Sequence, residues 1–591
     1  MTKLPVWNLT DLFSGMDDPK IEQEFKELDL AVNAFINKAE GRMIELDDDA
    51  FGAIISEYER ICERMAKISA YAYLLYSEDV TDKEVQRFSQ NVRERITTFS
   101  TKILFFTLAI NKLDDNVMAE KLKFPAAKRY APWLKHIRTF REYQLNDREE
   151  QLLNDKAQVN ANWIRLYDEL LGKMVIGEGN EQTDLTMALE KLSSPDEDER
   201  KNYAVNIAKA LEKDADMITM IYNTIIKDKE IDDKWRGYKT PMSEMNLHNK
   251  VEDEIVDTLT LAVKTNYKNI SHRYYAMKAK MMGKDRLEFW DRNAPVDFTG
   301  TKTDKEYSFE RAKEIILDAF SAFAPEMGDI ASMFFDKNWI NAEPKKGKMG
   351  GAYAHPVTPS AHPYILTNFN GKARDVMTLA HELGHGVHQW LASRNGYLMS
   401  DTPLNFAETA SVFAEMLTFD RLLKEETDPL KQKSMLCEKI EDKINTVIRQ
   451  IAFHEFETEA HYKRRISELS KEDLTAIWLK VQKESLGDAF KDNKHYDYYW
   501  TYISHFFHSP FYVYAYAFAD CIVNSLYKIY SESEGGEKQK FVDNYLDMLR
   551  AGGTKSHEEM LSPFGLSASS IDFWNKGLAF INDLIVKMEK L

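Results

Sequence analysis

The sequence predicts a mainly α-helical protein, and three observations point to this fold class. Only 24 Gly and 16 Pro occur among 591 residues, so turn-forming residues rarely interrupt the chain. Long stretches carry apolar residues three and four positions apart, which is the spacing of one face of a helix. One region, residues 345–371, breaks this pattern because Gly and Pro cluster there around a short strand-like run.

The predicted helices follow one another along the chain with few linkers between them. The first lie at residues 22–39, 51–76, 82–111 and 147–171. The next begins at Ser194, where Pro195 occupies the first helical position and the following acids favour the positive end of the helix dipole. Later helices are predicted at residues 251–282, 308–324, 374–392, 405–423, 431–466, 471–486, 510–531 and 537–551.

Residues 345–371 are expected to form a small sheet or hairpin before the helix at 374–392. Tyr364 to Phe369 read as a strand, and this strand is a candidate to pair with the backbone of a bound peptide. The alternative is a hairpin with a purely structural role. The Gly- and Lys-rich loop at 344–351 is a candidate mobile segment by composition.

Composition excludes several functional classes. With 96 acidic against 78 basic residues and a net charge of −18, a nucleic-acid partner is disfavoured. The three cysteines (Cys62, Cys437 and Cys521) are far apart, which argues against a disulfide framework and a cysteine-ligated metal site. No stretch approaches the ~18–20 apolar residues that span a bilayer, and the N-terminus lacks the features of a secretory signal. We therefore expect a cytoplasmic protein with no membrane partner.

The helix at 374–392 carries the motif HELGH at residues 381–385. His381 and His385 are four residues apart, so both imidazoles lie on one helical face and can reach one metal ion. Glu382 projects beside that face and can take a proton from a water molecule at the metal. The alternative is an ordinary helix with an incidental pair of histidines. His388 shares the same face, but three ligands on one straight helix would not converge, so we interpret it as a wall residue.

A catalytic metal needs a third protein ligand, and the helix at 405–423 offers two acids. Glu408 is the preferred candidate, although with Asn405 three residues earlier it could instead be a capping-box acid. Glu415 is a rival on the same face, two turns later. Asp375 precedes His381 by six residues and could either orient a ligand imidazole or serve as a helix-start acid.

Residues 495–520 hold seven of the chain's 28 tyrosines, far more than an even spread gives. A core helix normally uses Leu and Ile, whereas a buried Tyr hydroxyl needs a hydrogen-bonding partner. Ser509 and Pro510 predict a helix start, which puts His505 and His508 just outside its N-terminus. The cluster could line a peptide channel and stabilise an oxyanion, or it could be a packed aromatic surface.

These motifs in this order resemble the oligoendopeptidase F branch of the thimet oligopeptidase family of zinc metallopeptidases. The resemblance runs nearly end to end. The matching segments are WNLTDLF at 7–13, WD at 290–291, AP at 294–295, GGAY at 350–353, HPYILTNF at 362–369, HELGHGVH at 381–388, FAETAS at 406–411 and the stretch 505–516.

The resemblance implies two helical halves that enclose a deep channel, with a short sheet at the edge of the cleft. It implies one Zn²⁺ per chain, bound by His381, His385 and Glu408, with Glu382 as general base. The scissile carbonyl would be contacted by His505 and Tyr512, although the alternating tyrosines leave Tyr514 or Tyr516 as candidates for the same role. The further substrate-binding residues are predicted to be Gly351, Ala352, Tyr353, His508 and Tyr516, with Asp375 and Glu415 behind the metal ligands.

The predicted function is zinc-dependent hydrolysis of internal bonds in short unfolded oligopeptides. An N-terminal helical domain is expected at residues 1–190 and the catalytic domain at 191–591. One alternative is a zinc carboxypeptidase or dipeptidase on a similar scaffold, which would need a charged anchor for a peptide terminus. The other is a peptide-binding protein that keeps a metal site without catalysis.

Overall fold

A computed structural model describes residues 4–46, 48–179, 182–296, 298, 306–402 and 404–591, and these residues form a mainly helical structure. The predicted fold class is confirmed. The helices are α1 (Pro19–Ala39), α2 (Asp48–Glu78), α3 (Lys83–Lys112), α4 (Asp115–Lys121), α5 (Pro125–Lys128), α6 (Ala131–Arg138), α7 (Asp147–Gly172), α8 (Leu185–Glu190), α9 (Glu197–Arg236), α10 (Ser243–His248), α11 (Asp253–Asn266), α12 (Arg273–Met281), α13 (Phe309–Phe323), α14 (Pro325–Asp336), α15 (Ala373–Ala392), α16 (Leu404–Glu425), α17 (Pro429–Lys443), α18 (Arg449–Arg464), α19 (Lys471–Leu486), α20 (His505–His508), α21 (Tyr514–Glu532), α22 (Gly535–Ala551), α23 (His557–Leu561) and α24 (Ile571–Glu589).

The two helix starts that were predicted from a proline differ from the sequence prediction. Helix α9 is capped by Asp196, whose side chain accepts hydrogen bonds from the amides of Asp198 and Glu199, so Pro195 lies before the helix and not inside it. Helix α21 begins at Tyr514 and not at Pro510. The reason is Phe511, whose φ of 63° is left-handed and incompatible with a continuous helix. His505 and His508 consequently belong to their own short helix, α20.

Five short strands form two sheets. Strand β1 (Val175–Ile176) pairs antiparallel with β2 (Thr183–Asp184), a ribbon that the sequence did not reveal. The predicted hairpin is present as β4 (Tyr353–His355) paired antiparallel with β5 (Tyr364–Leu366), and β3 (Ile340–Asn341) runs parallel to β5 on its other side. The order β3-β5-β4 makes β5 the central strand.

The chain divides into two compact units, and each unit draws on three separate stretches. The first unit comprises residues 1–142, 302–425 and 530–565. It contains the three-stranded sheet and helices α15 and α16, which pack directly on each other. Around them lie α13, α14 and α22.

The second unit comprises residues 143–301, 426–529 and 566–591. One hydrophobic core of this unit is rich in aromatic side chains and joins α9, α18 and α19 to the segment 499–513. Trp478, Trp500 and Tyr222 are almost fully buried there. In this unit, two predicted long helices are interrupted by π-helical turns at Lys268–His272 and Ile444–Ile448.

Among the described residues, no helix combines the length and the apolar character needed to cross a bilayer.

Candidate active site

Helix α15 presents the HELGH motif, and the start of this helix is fixed by Asp375. The Asp375 carboxylate accepts hydrogen bonds from the backbone amides of Asn370 (2.8 Å) and Lys372 (2.9 Å). Asp375 therefore acts as the helix-start acid that the sequence offered as one of two interpretations. From this start, the apolar residues Val376, Leu379 and Leu383 face the core.

Gly384, inside the motif, allows α15 and α16 to approach closely. A Cβ atom at this position would lie 2.6 Å from the Ala410 carbonyl oxygen and 2.7 Å from the Ser411 Cα. Both atoms belong to the α16 backbone, which cannot move aside as a flexible side chain can. The missing side chain of Gly384 thus brings the first turns of α16, and with them Glu408, against the histidines of α15.

His381, His385 and Glu408 converge into one cluster. A single oxygen of Glu408, Oε2, lies 3.3 Å from His381 Nε2 and 3.4 Å from His385 Nε2. The two imidazole rings are nearly perpendicular, with centroids 5.0 Å apart. Ser411 Oγ donates a 2.9 Å hydrogen bond to the same Glu408 oxygen. The side chain of Asn405, which the sequence offered as a capping partner of Glu408, lies outside the described residues.

This cluster fits a metal ion. One ligand atom from each of the three residues lies within 4.8 Å of the others. Two imidazole nitrogens and one carboxylate oxygen are a donor set that suits zinc, and three protein ligands leave a fourth position open.

Glu415 lies behind the cluster and not inside it. Its Oε2 atom is 3.4 Å from His381 Nδ1, the ring nitrogen opposite the one that faces Glu408. A contact of this kind can orient the imidazole of His381, and this role of Glu415 stays a prediction. His388 is buried and is 3.2 Å from Thr402 Oγ1 through its Nε2 atom; its role as a wall residue also stays a prediction.

The charges of the cluster stabilise one another in the absence of a metal ion. Burial disfavours a charged imidazole at His381, but the contacts with Glu408 and Glu415 raise its pKa to about 10. Burial also disfavours the Glu408 carboxylate, yet the contacts with both histidines hold its pKa well below the ordinary value. A metal ion must therefore displace a proton from His381 when it binds.

Glu382 is only 6% exposed and lies next to the cluster in the chain. Burial raises the pKa of its carboxyl above the usual value, against the opposing effect of the two neighbouring histidines. A carboxylate with a raised pKa accepts a proton more readily, as a general base requires.

The small sheet lies beside α15 and has β3 and β4 as its edge strands. Gln389 on α15 donates a 3.1 Å hydrogen bond to the Ala354 carbonyl of β4. Strand β5 is paired on both sides, so the prediction that the strand at 364–369 adds a peptide strand is wrong. The available edge is β4, which contains Tyr353 and directly follows Gly351 and Ala352.

The loop at 344–351 is tied to this sheet by Lys348. Its Nζ atom donates to four neutral oxygens, with the shortest bond at 2.7 Å to the Thr367 carbonyl. Burial among these neutral acceptors lowers the pKa of Lys348 to about 8. The mobility of this loop remains a prediction.

A cavity of about 830 Å³ lies in the first unit and reaches His385. Aromatic and apolar side chains make up much of its wall, and Asp401 adds a carboxylate. The aromatic part is formed by Tyr58, Tyr73, Trp133 and Tyr397. A space of this size accommodates several amino-acid side chains.

The tyrosine-rich segment belongs to the second unit, where His505 contacts two of the candidate tyrosines. His505 Nε2 is 3.2 Å from the Tyr516 hydroxyl, and the ring of Tyr512 stacks on His505 with centroids 6.0 Å apart. Tyr514 is fully buried, and its hydroxyl accepts a 2.8 Å hydrogen bond from Asn249. The structure therefore counts against Tyr514 as a catalytic residue and leaves Tyr512 and Tyr516. His508 is exposed and lies 2.7 Å from Asp168.

The conformation of this segment depends on Glu457, which the sequence analysis missed. Glu457 Oε1 accepts a 3.0 Å hydrogen bond from the amide of Phe511, the residue with left-handed φ. The carboxyl is fully buried, and burial raises its pKa well above the ordinary value. His454 and His461 flank Phe511 from the same face of α18. The position of Glu457 between two histidines, on the otherwise apolar face of α18, is the sequence signal that could have identified this residue.

Comparisons with known proteins agree with these observations. The family model described as peptidase family M3 matches residues 191–580, and the one described as oligopeptidase F matches residues 110–175. The chain is 24% identical to the oligopeptidase PepF of Bacillus subtilis (strain 168), over 99% of this chain and 87% of that protein. It is 27% identical to an oligoendopeptidase F homolog of Borreliella burgdorferi, over 95% of this chain and 93% of that protein.

Solved structures share the fold. The oligoendopeptidase-F of Enterococcus faecium aligns with a TM-score of 0.70 and 20% identity, over 97% of this chain and 98% of that one. A candidate peptidase from Chlamydophila abortus aligns with a TM-score of 0.87 and 22% identity, over 99% of this chain and 98% of that one.

Proposed function

The chain belongs to peptidase family M3, and from this premise we propose that it is a zinc endopeptidase in which His381, His385 and Glu408 bind the metal ion. Its substrates are oligopeptides. The observation that carries the proposal is the position of one Glu408 oxygen within 3.4 Å of both HELGH imidazoles, which supplies the third ligand of a catalytic site.

The roles of the residues at the metal centre follow from their positions. Zinc, when bound, lowers the pKa of a coordinated water and polarises the peptide carbonyl. Glu382 accepts the proton of the attacking water and returns it to the leaving amine, a double use that its raised pKa favours. Glu415 keeps the ring of His381 in the orientation that points Nε2 at the metal.

His505 and Tyr512 are proposed to stabilise the negative charge that develops on the scissile carbonyl oxygen. Support comes from their mutual stacking and from the partial exposure of both side chains within the second unit. Each hydrogen-bond donor to such an oxyanion contributes about 2.7–4 kcal/mol in other enzymes. Tyr516 and His508 are proposed to contact the substrate nearby.

The edge of β4 is proposed to bind the substrate backbone. Its residues Tyr353 to His355 pair with another strand on one side only, Gln389 contacts the Ala354 carbonyl, and Gly351 and Ala352 extend the same segment. Backbone pairing is nearly independent of side-chain identity, which suits an enzyme that accepts many peptide sequences.

The same proposal covers domain organisation and location. An N-terminal helical domain at 1–190 and a catalytic domain at 191–591 are proposed as divisions of the sequence, supported by the family models, whose matches end at 175 and begin at 191; the two compact units follow different boundaries. A cytoplasmic location is supported by the three cysteines, which are all free thiols in the structure.

The decisive experiment for endopeptidase activity uses an internally quenched peptide that is blocked at both termini. We expect cleavage, loss of activity after treatment with a chelator, and recovery when Zn²⁺ is added back. A zinc carboxypeptidase or dipeptidase would leave the doubly blocked peptide intact and would cleave its unblocked counterpart. Binding of the peptide without hydrolysis would indicate a non-catalytic protein.

A further inference from the structure

A second pocket lies in the second unit, among residues that the proposed chemistry does not use. We call it the Arg292 pocket. Its volume is about 560 Å³, within the range of small-molecule sites. The apolar part of its wall is formed by Phe289, Leu479, Leu486, Phe490 and Tyr496.

Arg292 is a buried cation without an acidic partner. The residue is 8% exposed, and among the described residues no carboxylate comes within ion-pair distance of its guanidinium. Its contacts are all with neutral groups: Nη1 is 3.5 Å from the Tyr496 hydroxyl, Nη2 is 3.4 Å from Asn445 Oδ1, the guanidinium also contacts the Tyr275 side chain, and Nε has no hydrogen-bond acceptor. The carboxylate of Glu441 is instead bound by Lys278 and Tyr274.

Other polar groups around Arg292 also have buried donor atoms without an acceptor. Gln482 is 4% exposed, and its Nε2 donor has no acceptor, while its Oε1 atom accepts a bond from Tyr496. Behind them, Arg449 donates to the Tyr502 hydroxyl but leaves its Nε without an acceptor. Two guanidinium groups and one amide therefore present unused donors around the same tyrosines.

Burial of an unpaired guanidinium is costly, because a charge is unfavourable in a low-dielectric environment and this group cannot become neutral by losing its proton. A fold retains such a group when something else supplies the negative charge. The acids near the rim of the pocket do not supply this negative charge, because Asp488 pairs with Lys483 and Glu288 pairs with Lys491. The remaining charged residues of the lining are Lys494 and Asp492, which are exposed, and Asp497, which is partly exposed.

We propose that the Arg292 pocket binds a small monocarboxylate with an apolar body, with Arg292 and Gln482 holding the carboxylate and the aromatic wall covering the body. An apolar C-terminal residue of a peptide and a medium-chain fatty acid both have this chemistry. The lining of the pocket contains none of the proposed metal ligands and none of the residues proposed to contact the peptide substrate, so its assignment is additional to theirs.

The test is calorimetric titration of the full zinc-loaded protein with N-acetyl-L-phenylalanine and with octanoate. N-acetyl-L-phenylalaninamide serves as the neutral match, and inorganic phosphate as an anion without an apolar body. We expect at least one of the two carboxylates to bind at least 10-fold more tightly than the amide and than phosphate. The carboxylate that binds more tightly indicates whether the ligand is the C-terminal residue of a peptide or a fatty acid.

Two variants locate the binding. Arg292→Met removes the cation, and Gln482→Glu places a carboxylate of the same shape beside Arg292, so both should weaken carboxylate binding at least 10-fold. Gln482→Glu should also raise the melting temperature because it supplies the missing counter-charge; this readout remains valid if Arg292→Met folds poorly. Lys480→Met, an exposed charge change on the same helix outside the pocket, should leave binding unchanged. Binding that is equal in wild type and both variants, or equal for acid and amide, overturns the proposal.

Discussion

At the scale of single residues, the metal centre depends on which acid of α16 faces the two imidazoles. Glu408 contributes one oxygen to both His381 and His385, whereas Glu415 contacts only the far side of His381. The sequence could not separate the two acids, because they lie on the same face of one helix. The register at which α16 packs on α15 determines which of the two acids faces both imidazoles.

This difference between the two acids gives a prediction about metal affinity. Glu408→Gln removes the charge of a ligand and should lose most zinc binding at neutral pH. Glu415→Gln keeps an oxygen for His381 Nδ1 and should weaken binding by no more than about 10–100-fold, the usual effect of a residue behind the ligands. Competition with a chromophoric chelator measures both affinities. A larger loss in Glu415→Gln than in Glu408→Gln would make Glu415 the ligand.

At the scale of the helix pair, the site is assembled by the close contact of α15 with α16. Gly384→Ala puts a Cβ atom against the α16 backbone, so α16 must move and carry Glu408 away from the histidines. We expect a lower melting temperature and weaker zinc binding, measured on the same preparation.

Gly386→Ala is the matched control on the same helix. Its added Cβ meets the ring of Phe334, 2.6 Å away, which is a side chain that can rotate. Both substitutions improve helix propensity by up to about 1 kcal/mol, so the difference between the variants reports the contact alone. Equal zinc affinity in the two variants would show that the distance between the helices does not set the site.

The turn between α20 and α21 gives a second prediction for a local element. Glu457→Leu leaves the buried amide of Phe511 without an acceptor, which costs about 1–3 kcal/mol of stability and frees the turn that carries Tyr512. We expect turnover to fall at least 10-fold with unchanged zinc content.

Glu457→Gln is the conservative counterpart. Because burial raises the pKa of the Glu457 carboxyl and so favours its neutral form, a neutral amide with an oxygen at the same place should preserve both stability and turnover. If the Gln variant is as impaired as the Leu variant, the hydrogen bond to Phe511 is not what holds the turn.

The sequence predicted most helices correctly because helical periodicity is a local property. It failed where a tertiary contact decides the backbone, as at Phe511, where Glu457 from α18 stabilises a left-handed residue inside a predicted helix. It also took the strand at 364–369 to be available for pairing, since a strand-forming run does not reveal whether both of its edges are paired. The convergence of the two HELGH imidazoles could be predicted because it depends on spacing within one helix.

At the scale of the whole molecule, buried polar side chains shape the stability of the fold. Periodicity shows which face of a helix is buried but not which partner covers it, so the composition of the two units from three stretches each could not be predicted. The buried histidines of α18 are examples. Burial lowers the pKa of His454 to about 4 and that of His461 well below its ordinary value.

These histidines make stability depend on pH. Below pH ~6.5 the unfolded chain binds a proton at His454 while the folded protein does not. Because of this residue, the free energy of unfolding falls by about 1.4 kcal/mol for each pH unit until the pH reaches about 4. Glu457 acts in the opposite sense, because its raised pKa favours the folded state as pH falls.

The contribution of His454 is isolated by His454→Phe, which keeps a ring and abolishes the titration. Relative to wild type, the variant should gain about 1.4 kcal/mol in unfolding free energy between pH 7.5 and pH 5.5, measured in urea. His495→Phe, at an exposed position, should show no such gain. A pH-independent difference for His454→Phe would mean that this side chain is not buried in its neutral form.

The central claim is that Glu382 performs proton transfer at a zinc site built by three other residues. Its most direct test measures zinc content and peptide cleavage on the same preparation of Glu382→Gln. We expect one Zn²⁺ per chain, as in wild type, with turnover reduced at least 100-fold, since general acid–base catalysis contributes about 10²–10⁴-fold. Near-normal cleavage by a fully zinc-loaded Glu382→Gln variant would contradict the claim.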